Sequence, residues 1–225
     1  MRPTSLLART LAVTIVAVAP AVLHAQTRPA SRPAADGPLI WLEALGGSTG
    51  EVMKVHVVNP GPDPIEIDGY FALEPVDLSP EEREGIFESV RTAAGNHVEA
   101  VIDFYCLEFG VAAPAAGVVY RIAPPAAQEA FAPAARAIEA ARRLNEAGLL
   151  SPDTNPESYY HAIRQWSIWT LEQRFDQAGF VAAFVEHTRK NAEARGVAWT
   201  DAVAAAVRTS GEGRWRDVAR ILEEA

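Results

Sequence analysis

Cysteine is nearly absent from this chain: Cys106 is the single one in 225 residues. That excludes an intramolecular disulfide framework and any zinc site built on paired thiolates. Metal binding has no other support, because there is no His-Glu-x-x-His run and His161 and His187 fall on different expected helices. No glycine-rich phosphate loop is present, and no cofactor is expected. Positive charge is also scarce, with 20 Lys and Arg against 29 Asp and Glu and a net charge of −9. Such a balance argues against nucleic acid and against anionic membrane surfaces as partners. After the first 25 residues no apolar run is long enough to span a membrane.

Those first residues carry their own pattern. Arg2 and Arg9 flank a short polar start, residues 11–23 are almost wholly apolar, and Leu23-His24-Ala25 precedes Gln26. A charged start, an apolar core and a small residue at the cleavage point read as a signal peptide over 1–25. The run is short for a membrane anchor, and Pro20 interrupts it. The expected product is soluble and extracytoplasmic, either secreted or periplasmic. In such a compartment a leftover cysteine is flagged as a reactive thiol or an intermolecular link. Cys106 is therefore expected to be buried and inert or chemically occupied.

Residues 26–37 are rich in Pro, Ala and Arg without apolar periodicity and read as a flexible leader. One domain of the α+β class is expected over 38–225. Its first part, 38–123, reads as mainly β with one helix. Residues 38–45 and 52–58 look like strands, the Asn59-Pro60-Gly61-Pro62 breaker follows, and alternation resumes at 65–67. Ser79-Pro80-Glu81-Glu82 is a helix-start signature and predicts a helix running to Ala94. The stretch 98–109 fits strand or helix, and 118–122 reads as a strand ended by Pro124-Pro125. From 124 onward the chain reads as helical, with helices at 126–149, 157–174, 177–195, 201–208 and 214–224. The expected arrangement is an N-terminal antiparallel β region packed against a C-terminal helical subdomain.

Two segments carry the chemistry. Phe104-Tyr105-Cys106-Leu107 holds the lone thiol, and Gln165-Trp166-Ser167-Ile168-Trp169 puts a glutamine on an apolar helix face. A buried amide must find partners, since leaving one unpaired costs on the order of 1–3 kcal/mol. A core glutamine bonded to neighbouring backbone would meet that need. Together the two segments resemble the thioester domains of Gram-positive surface adhesins. In that family an aromatic-Cys motif in the β part and a Gln-x-Ala-Ile-Trp type motif in the α part condense into an internal thioester. The β-then-α order is similar, and Val119-Tyr120 resembles the strand that follows the cysteine. Arg164 stands where that family often has threonine, and Ser167 replaces its alanine. The related complement-type motif, with Gln three residues after Cys, is absent, because Phe109 occupies that place.

The resemblance implies that Cys106 and Gln165 form a thioester, shielded from water by Tyr105, Trp166 and Trp169. It implies an activated acyl group that reacts once, not an enzyme that turns over. The partner would be a protein or glycan surface bearing an amine or a hydroxyl; the oligomeric state is left open. Two alternatives stand beside it. One is an extracytoplasmic binding domain with a buried structural cysteine. The other is a Cys-His enzyme in which His161, His187 or His97 serves as base to Cys106. Against the latter, His187 beside Glu186 and near Arg189-Lys190 reads as a solvated helix face.

Overall fold

Apolar-polar alternation organises the first half of the chain into strands. The computed structural model describes residues 39–47, 49–59, 67–76, 85–90, 98–110, 113–153 and 155–225, all within one compact unit spanning 33–225. The expected signal peptide and leader lie outside the described residues. Six strands are described: β1 (Leu39–Ala44), β2 (Thr49–Val58), β3 (Ile67–Pro75), β4 (Gly85–Val90), β5 (Val98–Cys106) and β6 (Val119–Ile122). Every pairing is antiparallel, in the order β1-β2-β5-β4-β3-β6, and β6 returns to β1 to close a barrel. Closure leaves these strands without a free edge for another chain to join.

Side-chain parity fixes what fills the barrel. Leu42, Met53, Val55, Val57, Leu73, Ile102, Phe104 and Tyr120 belong to one buried core. The residues between them on β2 and β5, such as Lys54, Glu99 and Val101, face outward. Full burial of each large apolar side chain contributes about 1.5–3 kcal/mol. Near its start β2 carries a bulge between Glu51 and Met53. Gly50, at φ +82°, takes a conformation there that side-chain-bearing residues rarely adopt.

The second half is helical: α1 (Pro125–Ala130), α2 (Ala132–Glu146), α3 (Pro156–Gln173), α4 (Gln177–Ala194) and α5 (Asp201–Glu224). The architecture is thus α+β. Among the described residues no helix is long and apolar enough to cross a membrane.

Three expectations about elements are corrected. Residues 85–90, expected within a helix, form β4 between β3 and β5. A start signature is worth little against interstrand pairing on both sides, to β3 and to the end of β5, and Ile86, Phe87 and Val90 are residues that favour strands. The rest of that expected helix lies outside the described residues. Of the brief alternation read at 65–67, Ile67 begins a strand that runs to Pro75, and 65–66 lie outside the described residues. Residues 201–224 form one helix instead of two: Gly211 does not break it, because the absent side chain lets α5 lie against Phe184 of α4. The ambiguous stretch 98–109 is strand as far as Cys106.

Candidate functional site

Helix α3 is the element that carries most of the site, and its sequence starts and seals it firmly. The Asn155 side chain caps it by accepting from the Ser158 N–H at 3.2 Å, and Pro156 occupies the first turn. It ends at Arg174, whose φ of 53° places it in the left-handed region. Residues 163 to 170 are all buried, so this stretch of the helix is enclosed on every side. A polar side chain left unpaired there is costly.

Gln165 is paired with Cys106. Its Oε1 accepts from the Cys106 backbone N–H at 3.0 Å, and its Nε2 donates to the Cys106 carbonyl at 2.6 Å. The location follows from the sheet. Pairing of β2 with β5 runs out at Thr49↔Tyr105, one residue short of Cys106. Past that point the carboxamide stands in for a strand, offering one acceptor and one donor as a backbone unit would. Gln165 is 2 % exposed and Cys106 is fully buried in the core that also holds Trp166 and Trp169. The fold thus joins the only cysteine to a glutamine 59 residues away.

Tyr105 lies on the other face of β5. It packs with Leu107, Ala134, Ile138 and Ile168, away from the Cys106 cluster. Alternation along the strand requires this, so the expectation that Tyr105 shields Cys106 is not met by its position. The same face carries a polar group. Asp103 Oδ2 lies 3.5 Å from His161 Nδ1, 3.4 Å from an Arg164 guanidinium nitrogen and 3.3 Å from the Tyr105 hydroxyl. The Tyr105 hydroxyl is 3.3 Å from His161 Nδ1. Arg164 is 2 % exposed, with its guanidinium 4.6 Å from the centres of both the Tyr105 and the Tyr160 rings. Two aromatic faces and a carboxylate together offset the burial of that cation.

The apolar wall on the Cys106 side is made by Phe109, Trp166 and Trp169. Phe109 lies 5.5 Å from Trp166 and 5.2 Å from Trp169, and the two indoles meet edge to face at 5.2 Å. His187 joins them, 5.6 Å from each indole, instead of facing solvent as its charged neighbours suggest. Burial, helped by Lys190, holds its imidazole below the ordinary value.

Sequence reading missed Phe109, Asp103 and the inward turn of His187. Asp103 had a signal, since it shares the parity of Tyr105 on a strand. Phe109 had none beyond its nearness to Cys106. Of the histidines weighed as bases, His161 has its Nδ1 occupied by Asp103 and Tyr105, His187 is walled in by rings, and His97 lies outside the described residues. Among the described residues no group of His, Cys, Asp and Glu could hold a metal ion. The open groove between α4 and α5, lined by Asp176, Val181, Val185, Arg208 and Glu212, shares no residue with this site. Comparison with protein-family models, with curated proteins and with solved structures finds no match for the chain.

Proposed function

We propose that Cys106 and Gln165 condense into an internal thioester that attaches the protein covalently, once, to an amine or hydroxyl on a partner surface. The observation that carries this reading is the two-point docking of the Gln165 carboxamide on the main chain of Cys106. Its acyl carbon lies between two atoms held at 3.0 and 2.6 Å from Cys106's own backbone, beside the residue that bears the thiol. The Cys106 N–H on Oε1 draws electron density from that carbon, as a donor in an oxyanion hole does. In the condensation the sulfur bonds to the acyl carbon, the C–N bond breaks, and ammonia leaves with the thiol proton. A nucleophile on the partner then takes the acyl group, and the Cys106 thiol is released. Phe109, Trp166 and Trp169 exclude the water that would hydrolyse the bond. An exported protein bearing an adhesin-like chemistry is the setting proposed for this reaction.

A second reading is favoured by the same hydrogen bonds. Both polar ends of Gln165 are satisfied and Cys106 is fully buried, which suits a structural clamp inside a binding domain. Intact-mass measurement separates the two, using protein that starts at a residue other than Gln26 so that its cyclisation adds no loss of ammonia. Under the thioester reading the wild type is lighter than its sequence by one ammonia, and Cys106→Ala is not. Methylamine abolishes the deficit and leaves an N-methyl amide at Gln165, heavier than the sequence by one CH2. Full sequence mass with a buried thiol leaves the clamp as the account.

A further inference from the structure

His187 puts an ionisable ring into the apolar wall on the Cys106 side, where Phe109, Trp166 and Trp169 cannot ionise. We infer that His187 is an acid-sensitive latch: on taking up a proton its ring leaves these three rings for solvent and opens the wall at Trp169. The inference goes beyond the proposed thioester and holds whether the Cys106 sulfur is a thiol or an acyl sulfur.

The contacts show which part of the wall depends on the latch. The His187 ring lies 5.6 Å from each indole and 6.0 Å from Phe109. It thus ties α4 to α3 and to the segment after β5 through one side chain. Trp166 has other anchors on α4, with Phe180 at 5.2 Å and Phe184 at 5.3 Å. Trp169 has none of these: its ring contacts are Phe109, Trp166 and His187. Departure of His187 leaves α4 seated on Trp166 and uncovers Trp169. There Trp169 Nε1 is buried and finds no acceptor among the described residues. An opening that admits water gives that donor a partner, which favours the open arrangement.

Nothing around His187 offsets a positive charge on it. On α4, Lys190 repels it, and Glu186 is engaged by Arg189 at 2.7 Å and by Lys190 at 3.7 Å. On α3, the carboxyl of Glu172, one turn past Trp169, is raised by burial alone, so no cation acts on it. On the segment after β5, Glu108 beside Phe109 is exposed. The rings stand 5.6 to 6.0 Å away, near the limit of about 6 Å at which a π face attracts a cation. Burial therefore decides, and with Lys190 it holds the imidazole below 6.5. Because the folded-state value is the lower one, the closed wall is fully favoured above 6.5 and loses that advantage as pH falls through the folded value. The ring is half-buried, so a change of rotamer reaches water at less cost than keeping an unpaired cation in place.

The test is acrylamide quenching of tryptophan fluorescence, with urea midpoints, from about pH 7.5 to about pH 5, the interval over which histidine charges. Wild type, His187→Phe and Lys190→Gln are compared, with far-UV circular dichroism as the check that the fold persists. In wild type the quenching constant should rise and the urea midpoint should fall on acidification. His187→Phe keeps a ring in the place without a charge and should abolish the rise. Lys190→Gln removes the like charge from an exposed position, and its rise should come at higher pH. A flat wild type, a rise that survives in His187→Phe, an unshifted Lys190→Gln, or a wild type that gains stability in acid would each overturn the latch. The one-ammonia deficit is measured separately, so failure here leaves the thioester reading untouched.

Discussion

Removing the Gln165 carboxamide should cost far more stability than removing the Cys106 thiol, and the size of the difference can be worked from two hydrogen bonds. Compare Cys106→Ala with the double variant Cys106→Ala/Gln165→Ala. Neither can form a thioester, so the difference isolates the carboxamide. In the single variant the residue-106 N–H and C=O keep their partners, because Gln165 meets the main chain and not the sulfur. In the double variant both groups lose the carboxamide that pairs with them. Each such group costs about 1–3 kcal/mol, which gives about 2–6 kcal/mol for the pair. Water entering the vacated space would bring the value toward the lower end. Against a usual domain stability of about 5–15 kcal/mol this is a large fraction. Urea titration followed by tryptophan fluorescence reads it as a lowered midpoint at unchanged slope. A difference below about 1 kcal/mol would mean that the two hydrogen bonds contribute nothing net, and the clamp would not stand.

Two further outcomes concern the helical half. The Tyr159 hydroxyl donates to Asp217 Oδ2 at 2.5 Å and the Ser151 N–H donates to the same oxygen at 3.0 Å, so Asp217→Ala should lower stability by about 2–4 kcal/mol in thermal melts. Burial first, and the Asp217 hydrogen bond second, push the Tyr159 phenol above its ordinary value of 10.0. Because the folded-state value is the higher one, its contribution is complete below that ordinary value and is lost as pH rises through the folded one. Tyrosinate absorbance should lose one late-ionising tyrosine on going from wild type to Tyr159→Phe; an unchanged titration would refute the assignment. On α5, a Cβ at Gly211 would lie 3.1 Å from Phe184 Cδ1, while at Gly213 the nearest atom is an Arg216 nitrogen at 3.9 Å. Gly213→Ala should gain roughly 0.5–1 kcal/mol of helix propensity, whereas crowding at Gly211→Ala, at about 1–3 kcal/mol, should outweigh the same gain. Equal denaturation midpoints for the two variants would contradict this.

What the sequence made legible were features set by local chemistry. Helical periodicity through 157–174 marks α3, and alternation through residues 52–58 marks β2. The α+β order follows from where each periodicity begins. Features set by long-range pairing were not legible. Residues 85–90 carry a helix start ahead of them, yet barrel closure makes them a strand. His187 sits among charged neighbours in sequence, and only the approach of Phe109 and two indoles turns it into a half-buried residue. Within the site, Cys106 and Gln165 were singled out by composition and by a resemblance, and the fold brings them into hydrogen-bond contact. Asp103 acquires its place only when strand parity and the first turns of α3 are combined.

The 59-residue separation of Cys106 and Gln165 has a consequence for how the protein is made. At ordinary rates of synthesis, roughly 3–12 s pass between the appearance of the cysteine and that of the glutamine. During that interval β6 can arrive and join β1 to β3, but the end of β5 still lacks the group that completes its hydrogen bonding. Only a chain that has closed its barrel and then laid α3 across it brings the carboxamide home. Docking of Gln165 is therefore a late event in biogenesis, and any chemistry drawn from it is confined to molecules whose two halves have already assembled.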